Sequence, residues 1–139
     1  MMEKGIRVGL IGEAITTVTS DQTSLHMGSG SMEVLATPAM IALLEAAAVS
    51  AIDPYLSPGK TSVGIEINVR HLSATPIGER ITSMAEVTRV DGRRVILEVR
   101  AWDERELIGE GMHTRYIIEA DDFLSRVKKS ENNMDTTPK

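Results

Sequence analysis

Cysteine is absent from the 139 residues, and only three histidines are present. Disulfide bonds and thiolate metal sites are therefore excluded. The histidines include no pair at positions i and i+4, so a metal site would need carboxylates far apart in the sequence, and we predict none. The N-terminus lacks the basic-then-apolar pattern of a secretory signal, which favours a cytoplasmic protein.

Positive charge is in the minority, with 15 Lys and Arg against 20 Asp and Glu and a net charge of −5. This balance gives no electrostatic footprint for nucleic acid and no polybasic patch for an anionic membrane. The Gly-rich segment 28–31, "GSGS", lacks the lysine and the preceding strand of a phosphate-binding loop. We therefore expect neither nucleic acid nor membrane as a partner, and the length predicts one domain.

The longest apolar run, "LATPAMIALLEAAAVSAI" at 35–52, is shorter than the roughly 20 residues that span a bilayer and contains a single charge, Glu45. We predict a core helix with Thr37 as the N-cap and Pro38 at the first helical position, ending at Asp53-Pro54. Because nearly every face of this helix is apolar, other structure should wrap it.

The remaining elements read as strands. They are predicted within 6–20, 61–74, 79–90, 93–103 and 107–119, with a hairpin turn at Asp91-Gly92. Strict alternation in the second strand places Val63, Ile65, Ile67, Val69 and His71 on the buried face and Gly64 on the other. One helix followed by four antiparallel strands, with a fifth strand before it, predicts an α+β hot dog fold in which a curved sheet wraps the helix.

The C-terminal residues divide into two parts. Residues 120–129, "ADDFLSRVKK", form an amphipathic segment that should close the fold. Residues 130–139, "SENNMDTTPK", are too polar to pack and are predicted to be a disordered tail. The predicted domain therefore covers residues 1–129.

Three segments resemble the fluoroacetyl-CoA-thioesterase-like branch of the hot-dog thioesterases: "VLATPAMIALLEAAAVSAIDPYL", "VGIEINVRHLSATPIGE" and "VDGRRV…GEGMHTR". The resemblance as a whole runs from about residue 6 to residue 128. The resemblance implies a homodimer that hydrolyses acyl-CoA thioesters, with its site at the subunit interface and no cofactor other than the coenzyme A of the substrate. It also implies a catalytic set of Thr37, Glu45 and His71.

The residue types suit the chemistry, because thioester hydrolysis needs an activated oxygen nucleophile, a general base and a group that orients the base. Thr37 and Glu45 are about 12 Å apart along a helix and roughly 80° apart around it, so they cannot touch. An imidazole between them could reach both, and His71 lies on the face that packs there. This histidine could belong to the same chain or to a dimer partner.

Each residue also has a structural interpretation. Thr37 fits a plain N-cap, and His71 fits a satisfied core histidine at a sheet edge. A buried Glu45 needs a partner, which could be His71 or, in a structural ion pair, Arg70 or Arg115. We favour the interpretation in which Glu45 orients and charges His71.

The resemblance alone suggests two substrate-binding residues. Gly64 would let a backbone N–H approach the thioester oxygen, although a bulge or a bend in a curved sheet would equally explain a glycine. Arg115 would hold a substrate group or a salt bridge, although a solvated strand charge is as plausible. Residues 24–36, "SLHMGSGSMEVLA", contain no aromatic side chain to shield a very small acyl group, so an open site for another short acyl group is predicted.

Two other functions remain open. An acyl-CoA hydratase or dehydratase would share the fold but would use an Asp/His pair at the pocket. A non-catalytic acyl-binding or CoA-binding protein would keep the fold alone.

Overall fold

The computed structural model describes residues 5–135. The strands are β1 (Ile11–Thr17), β2 (Lys60–His71), β3 (Arg80–Asp91), β4 (Arg94–Trp102) and β5 (Leu107–Glu119), and the helices are α1 (Ser24–Met27), α2 (Thr37–Ile52) and α3 (Ala120–Asp135). Single turns of 3₁₀ helix at Ser20–Gln22 and Asp53–Tyr55 precede α1 and follow α2.

The five strands form one antiparallel sheet in the order β1-β3-β4-β5-β2, so β1 and β2 are its two edges. Helix α2 packs across the sheet against β1, β3 and β4. This arrangement confirms the predicted hot dog fold. The β3–β4 hairpin is also present, with Gly92 at φ +61° and Asp91 paired with Arg94, so the turn lies one residue later than predicted.

The core lies between α2 and the sheet. The helix side chains that are fully buried there are Met40, Leu44, Ala47, Ala48, Ala51 and Ile52. At Gly12 in β1 the backbones approach so closely that a Cβ would lie 2.3 Å from the carbonyl oxygen of Ala47. Among the described residues, only the segment Thr37–Tyr55 is long and apolar enough to pass for a membrane span, and its inner face packs as that of a core helix.

One face of α2 stays open, contrary to the expectation that other structure wraps the whole helix. The exposed positions along it are Thr37, Pro38, Ala42, Ala46 and Ser50. The open face therefore starts at the predicted nucleophile.

A bulge in β2 breaks the predicted alternation of faces. The pairing with β5 shifts between Gly64 and Glu66, so Ile65 is an extra residue without a partner. As a result, Gly64 faces the helix together with His71, and the placement of Gly64 on the opposite face was wrong. Ile65 and Ile67 are 49% and 38% exposed rather than buried.

Helix α3 leaves the end of β5, where the Ala120 N–H donates to the carbonyl of Gly59. Its apolar side chains Leu124 and Val127 are about half exposed, so α3 does not complete the core as expected. The helix continues to Asp135, six residues past the predicted boundary at residue 129. The last four residues of the predicted tail lie outside the described residues.

Candidate active site

Thr37 is the first residue of α2, but it is not the cap. The N-cap is Ala36, with φ −73° and ψ 144°, and Pro38 occupies the second helical position. The N–H of the buried Ala36 donates to the carbonyl of Gln22, which fixes the entry into the helix one residue earlier than the sequence suggested. The predicted capping role of Thr37 is therefore wrong, and its hydroxyl is available for another partner.

That partner is His71, the last residue of β2. Thr37 Oγ1 lies 2.8 Å from His71 Nδ1, a normal hydrogen-bond distance. Burial lowers the pKa of His71, and the backbone of Ser73 partly offsets this effect. The imidazole is therefore neutral near pH 7, the form that can accept a proton from a hydroxyl group.

An open depression of about 310 Å³ surrounds this pair. Its walls are Ser24, Val34, Leu35, Thr37, His71, Leu72, Ser73 and Ala74. The wall residues Ser24, Val34 and Leu35 come from the segment without aromatic side chains, and none of the other wall residues is aromatic either. The depression is therefore bounded by small polar and aliphatic groups.

The β4–β5 turn supports the wall that follows His71. Asp103, whose carboxylate is buried, accepts hydrogen bonds from the Thr75 hydroxyl at 2.8 Å and from the N–H groups of Arg105 and Glu106 at 2.8 and 2.9 Å. Burial by itself would raise the pKa of Asp103, but these hydrogen bonds and the charge of Arg105 lower it overall. The turn thus holds the chain just beyond His71 in place through the hydrogen bond from Thr75 to Asp103.

Replacing the Asp103 carboxylate should make the free energy of unfolding less dependent on pH in the acid range. Asp103→Asn is expected to lose about 2 kcal/mol of unfolding free energy at pH 7, because a buried charge-assisted network is weakened. The pKa of Asp103 in the folded protein lies below its value in the unfolded chain. The extra unfolding free energy of the wild type is therefore fully present above about pH 4 and is lost as the pH falls through the folded pKa. Urea unfolding of both proteins from pH 7 to pH 3 measures the difference, and equal stability at pH 7 would contradict the assignment.

Glu45 lies further along α2, away from the pair formed by Thr37 and His71. Its Oε2 is 3.8 Å from Arg115 Nη1 and 4.0 Å from His113 Nε2, and its side chain is 42% exposed. A Cβ built on Gly64 would come within 2.7 Å of the same carboxylate oxygen, so the glycine leaves room for it. Within one chain Glu45 is therefore neither fully buried nor in contact with His71.

Arg115 belongs to a buried polar network and is 6% exposed, so its interpretation as a solvated strand charge was wrong. Its Nε and Nη2 donate to the hydroxyl and carbonyl oxygens of Ser62 at 2.8 and 2.9 Å. The Ser62 hydroxyl in turn donates to Asp53 at 2.6 Å. Burial lowers the pKa of Arg115, and the charges of Asp53 and Glu45 raise it.

His113 completes this network, although it was not among the predicted site residues. It is 1% exposed, its Nδ1 lies 2.7 Å from the carbonyl oxygen of Glu66, and Arg115 Nη1 lies 3.2 Å from its Nε2. A signal was present in "GMHTR", because residues 113 and 115 share one face of a strand. The partner of His113 on β2, the carbonyl of Glu66, could not be predicted because the bulge shifts the pairing of the strand.

The polar groups therefore form two clusters. Thr37 and His71 make the first, at the start of α2 and the end of β2. Glu45, Gly64, His113 and Arg115 make the second, further along both elements. Among the described residues, no group hydrogen-bonds to the buried Nε2 of His71.

Comparison with known proteins shows the same fold with related sequences. The FlK family, described as fluoroacetyl-CoA-specific thioesterase, matches residues 18–121. The fluoroacetyl-CoA thioesterase of Streptantibioticus cattleyicolor is 38% identical over 134 residues, which cover 92% of this chain and 96% of that protein.

Solved structures agree with this relationship. A threonine-to-serine variant of the fluoroacetyl-CoA thioesterase FlK in complex with acetyl-CoA superposes with a TM-score of 0.85 at 37% identity, covering 90% of this chain and 98% of that one. A thioesterase superfamily member from Thermus thermophilus superposes with a TM-score of 0.89 at 26% identity, covering 96% and 99%. The chain therefore belongs to the fluoroacetyl-CoA-specific thioesterase family, whose members are hot-dog-fold thioester hydrolases.

Proposed function

We propose that this thioesterase hydrolyses short acyl-CoA thioesters at a site built by two copies of the chain. In this site Thr37 and His71 come from one subunit and Glu45 and Gly64 from the other. The observation that carries the proposal is the separation of these groups into two clusters within a single chain.

Distances along the elements support a shared site. Thr37 and Glu45 are about 12 Å apart along α2. Gly64, which lies against Glu45, is roughly 20 Å from His71 along β2. A glutamate side chain cannot bridge such a separation, so a Glu45 carboxylate beside His71 has to be that of another molecule.

The exposed edge of β2 offers a way to bring a second copy there. Ile65 and Ile67 on this strand are 49% and 38% exposed, and an open strand edge of this kind favours pairing with another strand. Antiparallel pairing of two β2 strands about a two-fold axis at Asn68 brings the partner subunit's Gly64 beside His71. Because Ile65 is bulged out, the two positions are each three paired residues from that axis. The partner subunit's Glu45 accompanies that glycine.

The chemistry then follows from the roles of the groups. His71 Nδ1 accepts the proton of the Thr37 hydroxyl as the threonine oxygen attacks the thioester carbonyl carbon. If Thr37 instead positions a water, the threonine takes a proton from the attacking water as it gives its own to His71. A backbone N–H at the partner subunit's Gly64 stabilises the oxyanion, and the partner subunit's Glu45 stabilises the imidazolium. When the carbon–sulfur bond breaks, the proton passes from His71 to the CoA thiolate. If Thr37 has attacked, water then releases the acid from the acyl-threonine.

The proposed substrate is a short acyl-CoA. The site restricts the size of its acyl group less than a site closed by aromatic residues would. The depression of about 310 Å³ beside Thr37 has no aromatic wall. Structures of relatives contain acetyl-CoA, or fluoroacetate with CoA, in this fold. The proposal includes no metal or further cofactor, and it places the enzyme in the cytoplasm, with which a cysteine-free chain is compatible.

Release of free thiol tests the proposed reaction. We expect the purified protein to liberate CoA from acetyl-, propionyl- and butyryl-CoA with saturable kinetics, and to leave the double bond of crotonyl-CoA unhydrated. Hydration of crotonyl-CoA without thiol release would indicate a hydratase. Tight binding of acyl-CoA without turnover would indicate a binding protein, and either result would reject the proposal.

A further inference from the structure

His113 is held in one protonation and tautomeric state by its two neighbours. A backbone carbonyl can only accept a hydrogen bond, so Nδ1, at 2.7 Å from the oxygen of Glu66, carries the ring proton. A guanidinium can only donate, so Nε2, at 3.2 Å from Arg115 Nη1, presents its lone pair. Both contacts together specify the neutral Nδ1–H imidazole. Burial and the charge of Arg115 lower the pKa of His113 and favour the same state.

The contact with Glu66 lies at the bulge of β2. In the strand register His113 is opposite Ile67, yet its ring reaches the carbonyl of Glu66, the first paired residue after the bulge. A bulge has fewer ladder hydrogen bonds than a regular strand, so a side chain that binds its carbonyl fixes the local backbone path. On that path a Cβ built on Gly64 would lie 2.7 Å from Glu45 Oε2 and 3.0 Å from His113 Cε1, so only a glycine leaves room for both side chains.

The contact with Arg115 adds a third restraint on the guanidinium. Two of its nitrogens are held by Ser62, and the third, Nη1, points to His113 Nε2 and lies 3.8 Å from Glu45 Oε2. Because a guanidinium is rigid and planar, the contact at Nη1 keeps the whole group from tilting about its two bonds to Ser62. The carboxylate of Glu45 therefore faces a cation that Ser62 and a buried neutral imidazole hold together.

We propose that His113 is a positioning residue for catalysis, which holds the Gly64 bulge through Nδ1–H and the Arg115 guanidinium through Nε2, so that Glu45 and Gly64 keep the geometry needed at the shared site. This inference rests on the proposed catalytic role of Glu45. His113 itself does not touch the substrate, and it differs from a filler of the core because both ring nitrogens are used.

Three substitutions separate the two contacts. His113→Leu removes both contacts, His113→Asn retains a donor near the Nδ1 position, and His113→Gln retains an acceptor near the Nε2 position. For the leucine variant we expect kcat for acyl-CoA hydrolysis to fall about 10- to 100-fold per folded molecule, as for other small losses of alignment, with KM changed less than about threefold. The asparagine and glutamine variants should have intermediate kcat values. His26→Leu, which alters an exposed histidine of α1, is the matched control and should retain wild-type kcat.

Coupling to Glu45 decides whether the effect passes through this carboxylate. His113→Leu should lower kcat by a smaller factor in the Glu45→Gln background than in the wild type, since only the positioning of Gly64 then remains to be lost. Wild-type kcat in His113→Leu, or a lower melting temperature in all three variants without the expected order of kcat, would overturn the inference. If Glu45→Gln is slow and His113→Leu is normal, only this inference fails. A normal Glu45→Gln variant would reject the catalytic role of Glu45 itself.

Discussion

Replacing Thr37 with valine should remove most acyl-CoA hydrolysis and leave the protein folded. Valine has nearly the same shape as threonine but no hydroxyl, so nothing remains for His71 Nδ1 to activate at this position. We expect kcat/KM to fall on the order of 10²- to 10³-fold. The melting temperature should stay close to that of the wild type, because Thr37 makes no side-chain cap to α2. Thiol release and thermal unfolding, measured on the same sample, give both values.

Thr37→Ser is the matched control for this experiment. Serine restores a hydroxyl at the same atom and should keep hydrolysis well above that of the valine variant. Thr37→Asn, which would be a good cap if the residue were one, should be as inactive as valine and no more stable than alanine at this position. Wild-type turnover in the valine variant would assign the reaction to His71, Glu45 and a water alone.

The fold could be predicted because its signals are periodic and local. The apolar run at 35–52 could only be a core helix, and alternating strands with an Asp-Gly turn indicated an antiparallel sheet. The start of α2 was misplaced by one residue because both of the first two helical positions tolerate Pro38. Contact between Ala36 and Gln22, distant in the chain, decided between them.

The predicted contacts among the candidate site residues are present only in part. The pairing of Thr37 with His71 is present in the structure, while the contact of Glu45 with His71 is absent within one chain. A single bulged residue, Ile65, reverses the face of every position before it in β2, and periodicity alone cannot reveal such an insertion. For the same reason His113, whose partner is a backbone carbonyl at the bulge, left no sequence signal beyond its spacing from Arg115.

Mixing two inactive variants should restore activity if the site is shared between subunits. Glu45→Gln and His71→Ala, each as a homodimer, should lose hydrolysis by about 10²-fold or more. In a mixed dimer, one site then combines both lesions, and the other combines an intact Thr37–His71 pair with an intact Glu45. Random exchange makes about half of the dimers mixed, and half of their sites are intact, so about a quarter of wild-type activity should return.

The alternative arrangements predict different results from the same mixture. If Glu45 acts within its own chain, every site of a mixed dimer carries one lesion, and mixing restores nothing. If Glu45 only forms a structural ion pair with Arg115, at 3.8 Å, Glu45→Gln should have a lower melting temperature and nearly normal turnover per folded molecule. Sedimentation provides the control for assembly, since the proposal requires a particle of about 30 kDa from chains of 15.1 kDa. An active sample that sediments only as a monomer would rule out a shared site, because Glu45 would then have to reach His71 in the chain where the two lie apart.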